Sequence, residues 1–301
     1  LNGKPLFLKG FNRHESHPSA GAATASATML EDLQNLKALN CNFIRGCHYP
    51  QSQEFLDLCD RMGFLVWEES LGWGNTPTQL ADPEFMELQE KQTRLMVRNS
   101  INHPSVIIWA FLNEFASNTQ EGLTLCKQLV DAIHEEDSSR PVSFACNHVT
   151  DDICCNLLDV VAFNTYPGWI QDEYNEEPTA GIRETLDQII RRYRSLLKTD
   201  KPIMVSEMGT CGIYGQHDRA ASQWSEEFQA EYLSEVIRSV AAEKELRGLT
   251  IWQMNDAKSY LRTGANIRCK PLAYNLAGVF DPFRRTKLAA ATVAEGFARL
   301  P

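Results

Sequence analysis

No CxxC pair, no run of lysine and arginine, no apolar stretch of membrane-spanning length and no internal repeat occurs in this 301-residue chain. Each absence removes a class of function. Without CxxC, a structural zinc site lacks its usual ligand pair. Without a basic run, and with a formal net charge of −10, neither nucleic acid nor an anionic membrane surface attracts the chain. No apolar run approaches the ~20 residues a spanning helix needs, and no signal-peptide pattern opens the sequence. Nothing reads as a linker. Cysteine, by contrast, is plentiful. Cys41, Cys47, Cys59, Cys126, Cys146, Cys154, Cys155, Cys211 and Cys269 make an odd number, many of them inside apolar runs. In a chain too large to need disulfides they read as reduced thiols, the pattern of a cytoplasmic protein.

At 43% hydrophobic and 23% charged, the composition supports a large buried core. Short apolar runs alternate with longer amphipathic stretches from end to end. Strands are expected at Pro5–Phe11, Phe43–Gly46, Phe64–Glu68, Val106–Leu112, Val142–Ala145, Val160–Phe163, Ile203–Ser206 and Leu249–Gln253. Most are continuously apolar, as parallel strands covered on both faces require. Helices are expected near Ala27–Leu39, Gln53–Met62, Pro83–Ser100, Gln120–Glu136, Ile182–Lys198, Glu226–Glu243 and Lys287–Leu300. The fifth unit is the weak one, because Asn147–Asp159 is short for a helix. This alternation predicts an α/β fold, a single (β/α)8 TIM barrel over residues 1–301, with functional residues just after the strands. The chain opens inside a strand-like pattern, so an excised domain with missing N-terminal neighbours is expected.

The polar residues fall where that architecture wants them. Asn12-Arg13-His14-Glu15 follows the first strand, and Arg45-Gly46-Cys47-His48-Tyr49-Pro50 spans the end of the second. Glu68-Glu69, Asn113-Glu114, Asn164-Thr165-Tyr166, Ser206-Glu207 and Trp252 with Asn255-Asp256 mark later strand ends. Glu114 and Glu207 each leave an apolar strand directly, and strands four and seven are expected to face each other across the barrel mouth. A facing carboxylate pair is what acid/base and nucleophilic chemistry on an acetal needs. Arg45 supplies a cation for the nucleophile. His103 lies between helix and strand at the opposite face and reads as structural.

These stretches resemble glycoside hydrolase family 2, the β-galactosidase, β-glucuronidase and β-mannosidase group. The resemblance rests on Phe11–Glu15, Arg45–Pro50, Asn102–Trp109, Asn113-Glu114, Ser206–Gly209 and Trp252 with Asp256, in family order over nearly the whole chain. It implies a (β/α)8 barrel preceded by β-sandwich domains, and a retaining exo-β-glycosidase acting on carbohydrate or glycoside conjugates without a cofactor. Homo-oligomers would form through the missing domains. By resemblance, Glu114 is the acid/base and Glu207 the nucleophile. Asn113 binds the sugar 2-hydroxyl, Tyr166 orients Glu207, and His14, His48 and Trp252 form the sugar-binding wall. Asn164, Asp256 and Asn275 join the expected substrate-binding set.

Gln223–Gln229 and Asn164–Trp169 look most like the β-glucuronidase branch. That branch reads the uronic carboxylate with an Asn-x-Lys element, but here Asn275-Leu276-Ala277 puts alanine where lysine belongs. Arg262, Arg268 and Lys270 are alternative cations nearby. The Glu and His of magnesium-dependent β-galactosidases are missing after strand three, so no catalytic metal is expected; a metal-free neutral-sugar enzyme stays open. So does a non-catalytic carbohydrate-binding barrel. A metal-dependent hydrolase using His14 and His48 is disfavoured, because no His-x-His follows the first strand.

Overall fold

A computed structural model describes residues 1–169, 178–259 and 270–301. Eight parallel strands close into a barrel in sequential order: β1 (Leu8–Arg13), β2 (Phe43–Gly46), β3 (Leu65–Trp73), β4 (Val106–Asn113), β5 (Val142–Cys146), β6 (Val161–Asn164), β7 (Ile203–Met208) and β8 (Leu246–Ile251). Helices cover the outside: α1 (Ser26–Ala38), α2 (Gln53–Met62), a short α3 (Pro77–Leu80), α4 (Pro83–Ser100), α5 (Gln120–Glu136), α6 (Ile182–Leu196), α7 (Glu226–Ala242) and α8 (Leu288–Arg299). A 3-10 turn, Cys155–Leu157, stands where the fifth helix would be, in agreement with the weak pattern there. The (β/α)8 expectation holds.

The apolar runs bury on two sides, as a parallel barrel demands. Phe43, Trp67, Ile108, Ala110, Ala162 and Met204 pack together as one cluster of strand residues, filling the barrel interior. The larger core lies between strands and helices. Local chemistry sets the boundaries. The Ser52 hydroxyl caps α2 by accepting from the Phe55 amide, and Gly63 ends it at φ 67°, the left-handed cap position that glycine occupies without a Cβ clash.

Most strand ends shift by one or more residues from the sequence pattern, and at three of them pairing overrides hydrophobicity. β1 runs on through Asn12 and Arg13, which pair with Arg45 and Gly46 of β2. β3 continues to Trp73, which pairs with Asn113 beyond an irregularity in the ladder. β8 begins at Leu246, opposite Ile203, and leaves Trp252 in the loop that follows.

Described cysteines are all buried, and Cys41, Cys47, Cys59, Cys126, Cys146, Cys154 and Cys155 form no disulfide; Cys269 lies outside the described residues. Among the described residues no helix is long and apolar enough to cross a membrane.

One buried acid sets a pH dependence. Glu68, inside β3, accepts from the Ser100 hydroxyl at 3.0 Å, and burial pushes its pKa up from 4.5 to about 8 against that hydrogen bond. Between those values the folded state holds a proton that the unfolded chain has lost, so stability declines as pH rises through the window. Glu68→Gln keeps the acceptor and removes the titration. Its melting temperature is expected to exceed wild type by several degrees near the top of the window and to match it below. Thermal melts at both ends check this; parallel curves for the two proteins would refute it.

Candidate active site

The C-terminal ends of β1, β2, β3, β4, β6 and β7 bring their polar residues into one connected cluster. At its centre is Arg45, fully buried on β2. Its Nη1 donates to Glu207 Oε1 at 2.5 Å and to Asn12 Oδ1 at 2.9 Å. Nη2 donates to Glu69 Oε2 and to Asn113 Oδ1, both at 2.9 Å. Burial disfavours the guanidinium charge, but Glu69 and Glu207 more than compensate and raise its pKa. Glu69 shows the same balance from the other side. Burial alone would raise its pKa, yet Arg45 and the hydrogen bond from His48 outweigh that and hold it at about 2.

Glu207 receives a second hydrogen bond, from the Tyr166 hydroxyl. Burial and then the neighbouring carboxylates keep that phenol protonated, with its pKa well above the ordinary value. Two residues beyond Glu207, Gly209 lies against the barrel's last strand end. A Cβ there would sit 1.9 Å from the Trp252 carbonyl oxygen, so only glycine allows this approach.

Glu114 stands at the other end of the same network. Asn164 donates through Nδ2 to Glu114 Oε1 at 2.9 Å and to Asn113 Oδ1 at 3.1 Å, while the Ser206 hydroxyl fixes its Oδ1 at 2.8 Å. The chain Glu207–Arg45–Asn113–Asn164–Glu114 therefore ties the two carboxylates into one frame. The other Glu114 oxygen meets the exposed indole of Trp73 at 3.3 Å. Burial raises the pKa of Glu114, and the charge of Glu207 adds to the shift. Its backbone lies at φ 52°, a left-handed conformation uncommon for a non-glycine residue. Such strain persists only where surrounding contacts over-determine it, and it clusters at functional sites. Asn113 is buried, and its Nδ2 has no hydrogen-bond partner among the described residues. A buried, unused donor beside two carboxylates is a recognition group in want of a ligand.

An aromatic wall closes one side. Trp252 stacks on His48 with ring centroids 5.6 Å apart, and His14 meets both rings edge-on. The His48 Nδ1 bonds Glu69 at 2.8 Å, and the His14 Nδ1 lies 3.2 Å from the Tyr49 hydroxyl. Burial, then the charges of His48 and Arg45, push the His14 pKa down to about 3, leaving a neutral ring.

Nine of the eleven expected residues are thus brought together: Glu114, Glu207, Asn113, Asn164, Tyr166, Arg45, His14, His48 and Trp252. Among the described residues, Asp256 and Asn275 have no hydrogen bond into this network. Asp256 Oδ1 accepts from Lys287 Nζ at 2.7 Å and from the Gly278 amide at 2.9 Å, its Oδ2 is buried with no hydrogen-bond partner among the described residues, and Asn275 Oδ1 accepts from the Ala277 amide. Both brace the loop over residues 275–278. β4 and β7 are three positions apart around the ring, so their glutamates meet across the mouth obliquely. His103 bonds Asp60 and Gln53 of α2, away from the cluster, as a structural residue would.

Three contributors had no role assigned from sequence: Glu69, Asn12 and Trp73. The signal for Glu69 was visible as two adjacent acids inside an apolar strand, which burial forbids unless each is partnered or protonated. Trp73 gave no such signal.

The family model for the glycosyl hydrolases family 2 TIM barrel domain matches residues 1–264. The chain belongs to glycosyl hydrolase family 2. It is 30% identical to the β-glucuronidase of Mus musculus over 306 residues, covering all of this chain and 45% of that protein. Among solved structures, a family 2 β-galacturonidase from Eisenbergiella tayi bound to galacturonate superposes with a TM-score of 0.92 at 35% identity. A β-D-glucuronidase of Dictyoglomus thermophilum gives the same TM-score at 26% identity. Both superpositions cover all of this chain and 52% of the other. The chain therefore spans about half the length of the family 2 proteins it matches.

Proposed function

We propose that this barrel is the catalytic domain of a retaining exo-β-glycosidase of the β-glucuronidase-like branch, acting on terminal β-linked uronosides. The observation that carries the reading is the contrast between the two glutamates in one hydrogen-bonded frame. Glu114 is half-buried with a raised pKa beside an exposed indole, and Glu207 is ion-paired to Arg45 and hydrogen-bonded by Tyr166. Such a pair divides into proton donor and nucleophile.

Glu114 gives its proton to the glycosidic oxygen as the bond to the anomeric carbon breaks. A Glu207 oxygen attacks the same carbon, forming a covalent glycosyl-enzyme. Water then enters from the vacated side, Glu114 takes its proton, and the ester bond to Glu207 breaks to release the sugar. Asn113 Nδ2 is placed to meet the 2-hydroxyl, and Trp252 offers its face to the pyranose C–H groups. The exposed Trp73 flanks Glu114 and suits the departing aglycone.

Uronic acid is favoured because β-glucuronidase and β-galacturonidase relatives match over the whole chain. Position 277 does not supply the carboxylate reader: Ala277 is buried, packed with Cys47, Trp252 and Leu276. Lys287 is fully engaged with Asp256, Gly212 and Leu276. Arg262 and Arg268 lie outside the described residues, and Lys270 is half-buried at the edge of that loop. The same alanine favours a second reading, a neutral β-glycoside. A panel of nitrophenyl β-glycosides separates them, with glucuronide and galacturonide expected to lead; a preference for galactoside or glucoside would overturn the uronide assignment.

The acid/base role fixes a pH profile. Cleavage needs protonated Glu114, so kcat/KM falls as pH rises through its raised pKa, placing the alkaline limb above the usual glutamate value. Glu114→Gln is expected to lose that limb. It should slow substrates with poor leaving groups by about 10²–10⁴-fold and activated nitrophenyl substrates much less. Equal losses for good and poor leaving groups would contradict the assignment.

A further inference from the structure

The geometry points to a soft-cation site inside the proposed sugar pocket, formed by His14, Cys47 and His48, at which zinc binds and blocks the substrate. One ligand atom from each of these three residues lies within 4.8 Å of the other two. That spacing approaches what three donors around one tetrahedral ion require, since Zn–N and Zn–S bonds of about 2.0–2.3 Å put neighbouring ligands roughly 3.3–3.8 Å apart. Binding would draw the donors inward by up to roughly 1–1.5 Å.

The fourth ligand is at hand. His48 Nδ1 is engaged by Glu69, which leaves Nε2 free to bind, and that atom is 3.9 Å from Glu207 Oε1. Two imidazoles, a thiolate and a carboxylate make a complete zinc set. The outer contacts are those of a built metal site. The Glu69 carboxylate orients His48 in a carboxylate–histidine–metal arrangement, and the Tyr49 hydroxyl does the same for His14 at 3.2 Å. Among the described residues, Cys47 Sγ has only a long contact with the Arg13 carbonyl, 3.6 Å, to give up. Arg45 is the obvious objection, but its charge is already matched by Glu69 and outweighed once Glu207 is counted. Binding forms the Zn–Sγ bond and breaks the S–H bond, and the proton leaves to solvent.

This site is inhibitory, not catalytic. The ion would occupy the wall where the pyranose sits and would capture the nucleophile Glu207. The donor set also selects against magnesium and calcium, which prefer all-oxygen shells. The inhibitory consequence rests on the proposed glycosidase function; the binding does not.

Cobalt(II) is the spectroscopic probe. Titrating the protein with cobalt is expected to produce one equivalent of a tetrahedral species with a sulfur-to-cobalt charge-transfer band, displaced by zinc. Cys47→Ser and Cys47→Ala should each lose that band. Losing a direct ligand should weaken zinc binding beyond the ~10–100-fold that outer-shell partners are worth. Both variants should still hydrolyse the preferred nitrophenyl glycoside, now resistant to zinc, whereas wild type is inhibited competitively with substrate. A missing charge-transfer band in wild type overturns the proposal, as does unchanged zinc inhibition in both variants. If the protein hydrolyses no glycoside yet shows the cobalt band, the function reading fails and the metal site stands.

Discussion

Glu207→Gln is expected to abolish hydrolysis of every aryl β-glycoside the wild-type protein cleaves, with kcat reduced by about 10⁴-fold or more while the protein stays folded. The size follows from the role. An amide cannot form the glycosyl ester, so the two-step route is closed and only uncatalysed attack by water remains. The change is nearly isosteric: the remaining oxygen still accepts from the Arg45 guanidinium, and the amide nitrogen in place of the other oxygen reverses the Tyr166 contact by donating to the phenol oxygen. Thermal melts should shift little beside the kinetic loss. If activity survived within tenfold, Glu207 would be a structural carboxylate and the nucleophile would lie elsewhere.

Arg45→Met carries the second large effect, on stability and activity together. The guanidinium is fully buried and joins Glu69, Glu207, Asn12 and Asn113. Methionine fills the same space but leaves Glu69 and Glu207 close together without their cation. Breaking a buried ion pair from one side costs about 3–5 kcal/mol, because the partner charge stays buried and uncompensated. Here two partners are stranded. Denaturant midpoints should therefore fall sharply, and hydrolysis should drop further than the folded fraction accounts for, since Asn113 and Glu207 lose a shared positioning donor. Arg45→Lys should recover part of the stability and little of the activity: one ammonium cannot span the fork that holds four residues. A variant with wild-type stability would show that the cluster does not depend on this charge.

The barrel was legible in the sequence because parallel strands buried on both faces must be continuously apolar, and eight such runs alternate with amphipathic segments. What patterning missed lies where backbone pairing carries polar residues into a strand. Asn12 and Arg13 belong to β1 because their backbones pair with β2, although their side chains read as loop. The two catalytic candidates were readable because each carboxylate sits one polar residue past an apolar run. Glu69 was harder: its partners, Arg45, His48 and Trp67, become neighbours only when β2 and β3 pair. Trp73 became part of the site through the extension of β3, which no hydrophobic period signals. Asp256 was expected to touch substrate because it follows β8. One of its oxygens pairs with Lys287, 31 residues onward, a contact visible only in three dimensions.

The central claim is that Glu207 forms a covalent bond to the sugar. The most direct measurement uses a 2-deoxy-2-fluoro glycoside of the preferred sugar with an activated leaving group, which slows release of the glycosyl-enzyme, followed by peptide mass analysis. The expected result is a single fluoroglycosyl adduct on the peptide containing Glu207, absent in Glu207→Gln, with retained anomeric configuration in the product of normal turnover. An adduct on Glu114, or turnover to the inverted anomer with no adduct at all, would contradict it.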